Sequence, residues 1–252
     1  MSRLTQAVVL FLFGGAILRA SLTDLYLRYV KEGLRPFLIA AGILLVATAV
    51  MTLWQSLRAG DAPEGGIASE AGEAAESHDD HGHDHAHEPR VGWLLILPVL
   101  GLLLVAPPAL GSFAAGKSGS VSAAPVSDSD YPPLPAGDPA SLSLLDYASR
   151  ALFDDGKSLA GRSLRMTGFV TPAPDGSPML ARIVLTCCAA DGRPIKVGLA
   201  GQALPAVPPN TWVEVIGAYS AKRAKDPVND VDVAYFEVKT WQEIPQPKQP
   251  YA

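Results

Sequence analysis

Residues 37–57 read FLIAAGILLVATAVMTLWQSL, an apolar stretch that contains no charged side chain. A helix needs about 20 mostly apolar residues to cross the hydrocarbon core of a bilayer. The length and composition of this stretch therefore predict a transmembrane helix. They also predict that the chain is a membrane protein.

A similar apolar stretch lies on each side of it. Residues 4–25 read LTQAVVLFLFGGAILRASLTDL, and residues 91–109 read VGWLLILPVLGLLLVAPPA. We predict three transmembrane helices, at about residues 4–25, 37–57 and 91–110, within a domain of two helices (1–57) and a separate third helix. A signal peptide is the alternative for the first stretch, because Arg3 supplies a short positive n-region. The lack of an A-x-A-type cleavage site after it favours a retained helix.

Residues 58–90, between the second and third predicted helices, form an acidic segment that holds all five histidines of the chain. Such a composition cannot bury enough apolar surface to fold, so we expect a disordered loop. Imidazole nitrogens and carboxylate oxygens are ligands for divalent ions such as Zn²⁺. The loop is thus predicted to capture a divalent metal, with zinc as the expected ion, and the alternative is a polar linker without a ligand. The candidate ligands are His78, His81, His83, His85 and His87 with Asp79, Asp80 and Asp84.

The C-terminal half has the pattern of a small β domain. Residues 111–140 are rich in Ser, Pro and Gly, which predicts a semi-stiff linker, and Ser141 or Ser143 then caps a short helix. Five strands are predicted at residues 163–171, 179–187, 194–199, 211–220 and 231–241, separated by turn residues. An OB-like five-stranded barrel over residues 141–245 is favoured over a sandwich fragment, because closure protects the strand edges. Residues 246–252 form a Pro-rich tail.

The two cysteines of the chain, Cys187 and Cys188, are adjacent. Two cysteines are too few for a disulfide-stapled domain or a four-thiolate zinc site. At the end of a predicted strand, adjacent side chains point to opposite faces. If a turn brought the two thiolates together they would bind a soft metal, with Asp191 as a possible third ligand. The alternative is that one or both are small core residues.

Composition excludes several classes of function. The net charge is −5, and from Ser141 onward 12 Lys+Arg face 11 Asp+Glu, so no basic surface for nucleic acid is expected. The sequence contains no nucleophile elbow, no P-loop and no zinc-protease motif, and its C-terminal half has no histidine to act as a base. We therefore expect a protein that is not an enzyme. A thiol-redox enzyme is poorly supported because no base lies near the cysteines in the sequence.

Several segments of the chain form a characteristic set. They are residues 27–30 (LRYV), 34–36 (LRP), the His/Asp loop, 90–93 (RVGW), 106–110 (APPAL), 186–191 (TCCAAD) and the tail residues Pro247, Pro250 and Tyr251. Together these segments resemble the YcgQ-like family of predicted permease subunits. The resemblance implies three N-terminal transmembrane helices, a His-rich loop and a C-terminal domain that carries the Cys-Cys-Ala-Ala-Asp motif. It also implies an accessory membrane protein that works beside a multi-span permease in zinc-type metal handling.

Charges near the predicted helices set the expected orientation. The loop between the first two helices holds Arg28, Lys31 and Arg35, whereas the N-terminus holds only Arg3 and its amine. The positive-inside rule therefore places that loop in the cytoplasm of a multi-pass plasma-membrane protein. With three helices, the His-rich loop lies outside and the C-terminal domain inside, so the histidines and the Cys187–Cys188 pair form separate sites.

Two functions are compatible with these features. The first is an accessory subunit of a permease, in which the His-rich loop captures metal and the Cys-bearing domain senses, receives or docks. The alternative is a membrane-anchored scaffold that binds a partner protein through its barrel and its Pro-rich tail, with no role for metal.

Overall fold

The structure is a computed structural model that describes residues 3–60, 108–121 and 131–252, together with residues 97, 100 and 101. The His-rich loop and most of the third predicted helix lie outside the described residues, so both stay predictions. By its internal contacts the chain divides into two compact units. One comprises Met1–Asp24 and Arg35–Pro107, and the other comprises Leu25–Leu34 and Pro108–Ala252.

The first unit contains two helices, α1 (Arg3–Leu22) and α2 (Arg35–Gly60). Both are long and apolar enough to cross a membrane. Large apolar side chains such as Phe11 and Leu44 face outward from them, as expected of helices surrounded by lipid. The two predicted N-terminal membrane helices are thus present as long apolar helices, with slightly different ends.

Two glycines lie where α1 and α2 pack together. A Cβ atom added at Gly14 would lie 2.9 Å from Val46 Cγ2, and one added at Gly42 would lie 2.8 Å from Leu18 Cγ. Both distances are shorter than real Cβ contacts, so only glycine permits this approach. Gly15 faces open space, and it therefore contributes nothing to the contact.

The second unit is built on a closed barrel, which confirms the predicted OB-like fold and excludes a sandwich fragment. The strands are β1 (Ala140–Ser141), β2 (Leu164–Pro172), β3 (Pro178–Val184), β4 (Arg193–Ala200), β5 (Trp212–Lys225) and β6 (Asp232–Glu243). Five of them pair in the order β2-β3-β4-β6-β5, and β5 pairs with β2 to close the barrel, while β1 is added parallel to β2. The pair β4–β6 is parallel and the other barrel pairs are antiparallel.

Two short helices pack on the barrel. The first, α3 (Ser112–Lys117), lies in the segment that was expected to be only a linker, and its Ala115 is fully buried. The Ala and Gly residues of this segment are small enough to let it pack closely on the barrel. The same composition is typical of a linker, which is why the sequence did not predict this helix. The second, α4 (Leu144–Phe153), is the predicted leading helix, and the Ser143 hydroxyl caps it by accepting a hydrogen bond from Asp146 N.

Alternation along the strands produces two hydrophobic clusters. One fills the barrel interior and includes Val170, Leu180, Val197 and Phe236. The other lies on the opposite face of the strands and contains Ala115, Phe169, Ala181, Ile183, Leu185 and Trp212. This outer cluster includes Ile183 and Leu185. The turn that carries the cysteines therefore directly follows a buried part of the chain.

Candidate metal centre

The cysteines lie in the connection between β3 and β4. β3 ends at Val184, three residues earlier than predicted, and Leu185 anchors the chain with 2% of its surface exposed. A short 3-10 helix, Ala189–Asp191, then leads into β4. We call residues 186–191 the Cys turn. The prediction that both cysteines alternate across a strand is wrong, because the chain has left the sheet before it reaches them.

The Asp191 carboxylate organises the Cys turn. Its Oδ1 accepts a hydrogen bond from Thr186 N at 3.0 Å, and its Oδ2 accepts one from Cys187 N at 2.7 Å. Cys188 N lies 3.5 Å from the same Oδ2, at the limit of a hydrogen bond. Three consecutive backbone N–H groups therefore face one carboxylate, and this arrangement turns the chain back on itself.

This fold of the turn brings three potential metal ligands together. The sulfur atoms of Cys187 and Cys188 and a carboxylate oxygen of Asp191 all lie within 4.8 Å of one another. Zinc bonds of about 2.0–2.3 Å in a tetrahedron put ligand atoms roughly 3.3–3.8 Å apart, so only a small contraction is needed. Both thiols are free, with Cys187 exposed and Cys188 half-buried. Neither belongs to the hydrophobic clusters, so they are not the core residues of the alternative interpretation.

Negative charge dominates the electrostatics of this cluster. A hydrogen bond to the Asp191 carboxylate, reinforced by Cys188, raises the pKa of the Cys187 thiol to about 11. The same thiol, together with the backbone N–H groups, holds the pKa of Asp191 below its usual value. The metal-free thiol of Cys187 is therefore protonated at neutral pH, which makes it a poor nucleophile. A bound cation would take the place of that proton beside the carboxylate.

The loop between the two apolar helices, Leu25–Leu34, packs against the Cys turn within the second unit. Val30 forms an antiparallel β-bridge with Cys188. Lys31 N donates to Cys187 O at 3.0 Å, and Ala189 N donates to Tyr29 O at 2.6 Å. We call residues 25–34 the hairpin loop. Its contact with the Cys turn joins residues about 160 positions apart in the sequence, and no local pattern in the sequence predicts it.

The Pro-rich tail is tied into the same region. The Tyr251 hydroxyl donates to Arg28 O at 2.8 Å and accepts from Leu110 N at 2.9 Å. Tyr251 also pairs with Ile183 of β3 in a parallel bridge, and Arg182 Nη2 donates to Gln249 O at 2.9 Å. The tail therefore connects the hairpin loop, the segment at Leu110 and the barrel.

A buried ion pair, which the sequence reasoning missed, fastens the segment after α3 to the barrel. Asp226 Oδ2 accepts from Lys196 Nζ at 2.9 Å and from Ser120 N at 3.0 Å, and Lys196 Nζ also donates to Ser118 O at 2.8 Å. Burial opposes the charge of Asp226, but these bonds and one from Val228 N outweigh it and hold its pKa below the ordinary value. The only signal in the sequence is a lysine inside the apolar strand PIKVGLA.

The other predicted metal ligands, the histidines and aspartates between residues 78 and 87, lie outside the described part of the chain.

Residues 148–252 match the family model described as the DUF1980 C-terminal domain. This match supports the resemblance to the DUF1980/YcgQ-like family that the sequence motifs indicate. No curated protein matches the chain, and no solved structure does.

Proposed function

We propose that this protein is an accessory subunit of a membrane permease system and handles a divalent metal of the zinc type. The observation that carries the proposal is the convergence of Cys187, Cys188 and Asp191 within 4.8 Å in one turn. Two thiolates and a carboxylate form a ligand set that suits zinc. The apolar helices would anchor this site at the bilayer, and the multi-span permease would be its partner.

The turn is suited to bind metal because its ligands are already in place. Its backbone is fixed by the bonds to Asp191 and by the two hydrogen bonds to the hairpin loop. Little chain entropy is then lost when an ion binds, because the residues that carry the ligands are already ordered. A divalent ion would also neutralise most of the charge that two thiolates and a carboxylate bring together.

The contact of the hairpin loop with the Cys turn supports one membrane arrangement. Both elements belong to one unit and share a β-bridge, which supports placing them on the same side of the bilayer. If α2 carries the chain across the bilayer away from the hairpin loop, the chain must cross back before residue 108. The third predicted helix would provide this return crossing. We propose this three-helix topology, with the loop and the barrel in the cytoplasm and the His-rich loop outside as a capture segment.

The alternative role, a scaffold that binds a partner through the Pro-rich tail, has less support. Tyr251 holds the tail against Arg28, Leu110 and Ile183 of the same chain. A partner would have to break these contacts to use the tail. An enzymatic role is not proposed, since the raised pKa of Cys187 opposes thiol chemistry at neutral pH.

Metal titration of four full-length proteins tests the proposal. They are the wild type, the double variant Cys187→Ser/Cys188→Ser, a variant with all five histidines replaced by glutamine, and the combination of both. In competition with a chromophoric chelator, the wild type should show two classes of zinc site, each set of substitutions should remove one, and the combination should remove both. Zinc binding by the cysteine double variant equal to that of the wild type would contradict the proposal.

A cellular experiment tests the role of the His-rich loop. Deletion of residues 77–88 should raise the zinc concentration that cells need for growth under chelation. Growth that is the same as with the intact chain would contradict metal capture by this loop.

Orientation is tested with a membrane-impermeant maleimide, because Cys187 and Cys188 are the only thiols of the chain. Labelling only after permeabilisation would support a cytoplasmic barrel. Labelling in intact cells would overturn the proposed topology and place the thiols outside.

A further inference from the structure

We infer that the Cys turn is an open metal site, which takes its fourth ligand from a Cys or His side chain of a partner protein. This inference rests on the proposed function, since it assumes that the turn binds metal. It adds that the site is built for exchange of the ion. A structural zinc site is closed by four protein ligands, whereas a site with three keeps one position free.

The described part of the chain supplies three ligands and no more. Within residues 3–60, 108–121 and 131–252, the group that could hold an ion comprises Cys187, Cys188 and Asp191 alone. The chain has no further cysteine, and its five histidines all lie between residues 78 and 87. In the proposed topology those histidines are on the other side of the membrane. A nitrogen or sulfur ligand for the fourth position must then come from another molecule.

The hairpin loop closes one side of the site and leaves the other open. Its Val30 bridges to Cys188, which is half-buried, and its Tyr29 carbonyl accepts from Ala189 N. The Asp191 carboxylate accepts hydrogen bonds from Thr186 N and Cys187 N, which hold it within the turn. Cys187 is the exposed member of the pair. An incoming side chain would therefore approach from the side of Cys187.

This geometry allows transfer by ligand exchange. A partner thiol would lose its proton as its sulfur donates an electron pair to the ion. Cys187 would take up a proton as its own bond to the ion breaks. The charge of the ion does not change, so the step needs no oxidant or reductant. Tight holding is not required of a site with this task, because the ion must leave it.

Cobalt substitution tests the inference in the full-length chain in detergent. The parent protein is the variant with all five histidines replaced by glutamine, so that Co²⁺ reports only on the Cys turn. Once the ion is bound, imidazole or a small thiol is added as a surrogate for the partner side chain. We expect a saturable change in the visible Co²⁺ bands at one added ligand per metal, with a stronger sulfur-to-cobalt charge-transfer band for the thiol.

The two proposals fail in different ways in this experiment. No sulfur-to-cobalt band before any addition would overturn the proposed function, and the open site with it. A sulfur-to-cobalt band that neither imidazole nor thiol alters would keep the metal site but overturn the inference, because the fourth position would already be filled by the chain. The variant Asp175→Asn is the matched control, since Asp175 lies in the β2–β3 turn and accepts from Ser177 N. It should respond as the parent does.

Discussion

Two carboxylates of the second unit both accept hydrogen bonds from backbone N–H groups, but they differ in the groups that lie next to their charge. Asp226 accepts hydrogen bonds from Ser120 N and Val228 N, and Asp191 accepts them from Thr186 N and Cys187 N. Each thereby holds a stretch of chain that has no regular hydrogen-bonding partner. Both also have a pKa below the ordinary value.

Within the described part of the chain, only one of these two carboxylates has a cation beside it. Asp226 is buried with the Lys196 ammonium group at 2.9 Å, whereas none of the ion pairs among the described residues involves Asp191. Asp191 faces two thiols instead, close to solvent. A permanent internal cation makes the first carboxylate a structural element. The thiol protons beside the second carboxylate can be replaced by an external cation. This difference between the two carboxylates underlies the proposed metal site.

The largest expected effect is on stability, from Asp226→Asn. This change leaves the Lys196 ammonium group buried without its counter-charge, which typically costs about 3–5 kcal/mol. We expect a loss of that size in the free energy of unfolding of the barrel, measured by denaturant titration of the full-length chain. Metal binding at the Cys turn should not change. The double variant Asp226→Asn/Lys196→Met should recover a large part of the loss, and failure to recover any would contradict the ion-pair explanation.

The same pair predicts a pH dependence of stability. The folded pKa of Asp226 is lowered, so its contribution is complete above the unfolded pKa of about 4 and is lost as the pH falls through the folded value. The difference in unfolding free energy between the wild type and Asp226→Asn should therefore narrow on acidification below about pH 4. A difference that widens would show that folding raises the pKa of Asp226 instead of lowering it.

A smaller effect, on binding, is expected from Asp191→Asn. Asparagine is a weaker metal ligand than aspartate, and we expect zinc affinity to fall by at least about 10-fold, since changing a residue that only supports a ligand already costs roughly 10–100-fold. Competition titration of the histidine-free protein measures this. The control is again Asp175→Asn, an aspartate that also accepts backbone and hydroxyl hydrogen bonds in a turn. Equal losses in both variants would contradict a specific role for Asp191.

The smallest expected effect is on the reactivity of Cys187 in the metal-free protein. Its pKa of about 11 is set mainly by Asp191. In a Cys188→Ser background with chelator present, Asp191→Asn should lower that pKa towards about 8.5. Alkylation at pH 8 should then become faster, because more thiolate is present. An unchanged pH profile of alkylation would show that Asp191 does not interact with the thiol.

The barrel could be predicted from the sequence because its information is local. Alternating apolar residues and turn residues mark each strand, as at the turn of residues 174–176, and the closed barrel is confirmed. The geometry of the Cys turn could not be predicted in the same way. It depends on Asp191 gathering N–H groups and on a hairpin loop distant in sequence. Lys196 and Asp226 were missed for the same reason, since 30 residues separate them.

X-ray absorption spectroscopy of the zinc-loaded, histidine-free full-length chain tests the central claim most directly, because it counts the atoms bound to the ion. The account predicts two sulfur neighbours at about 2.3 Å and oxygen or nitrogen neighbours at about 2.0–2.2 Å. A first shell with oxygen or nitrogen alone would contradict it, since zinc would then be bound somewhere other than at Cys187 and Cys188.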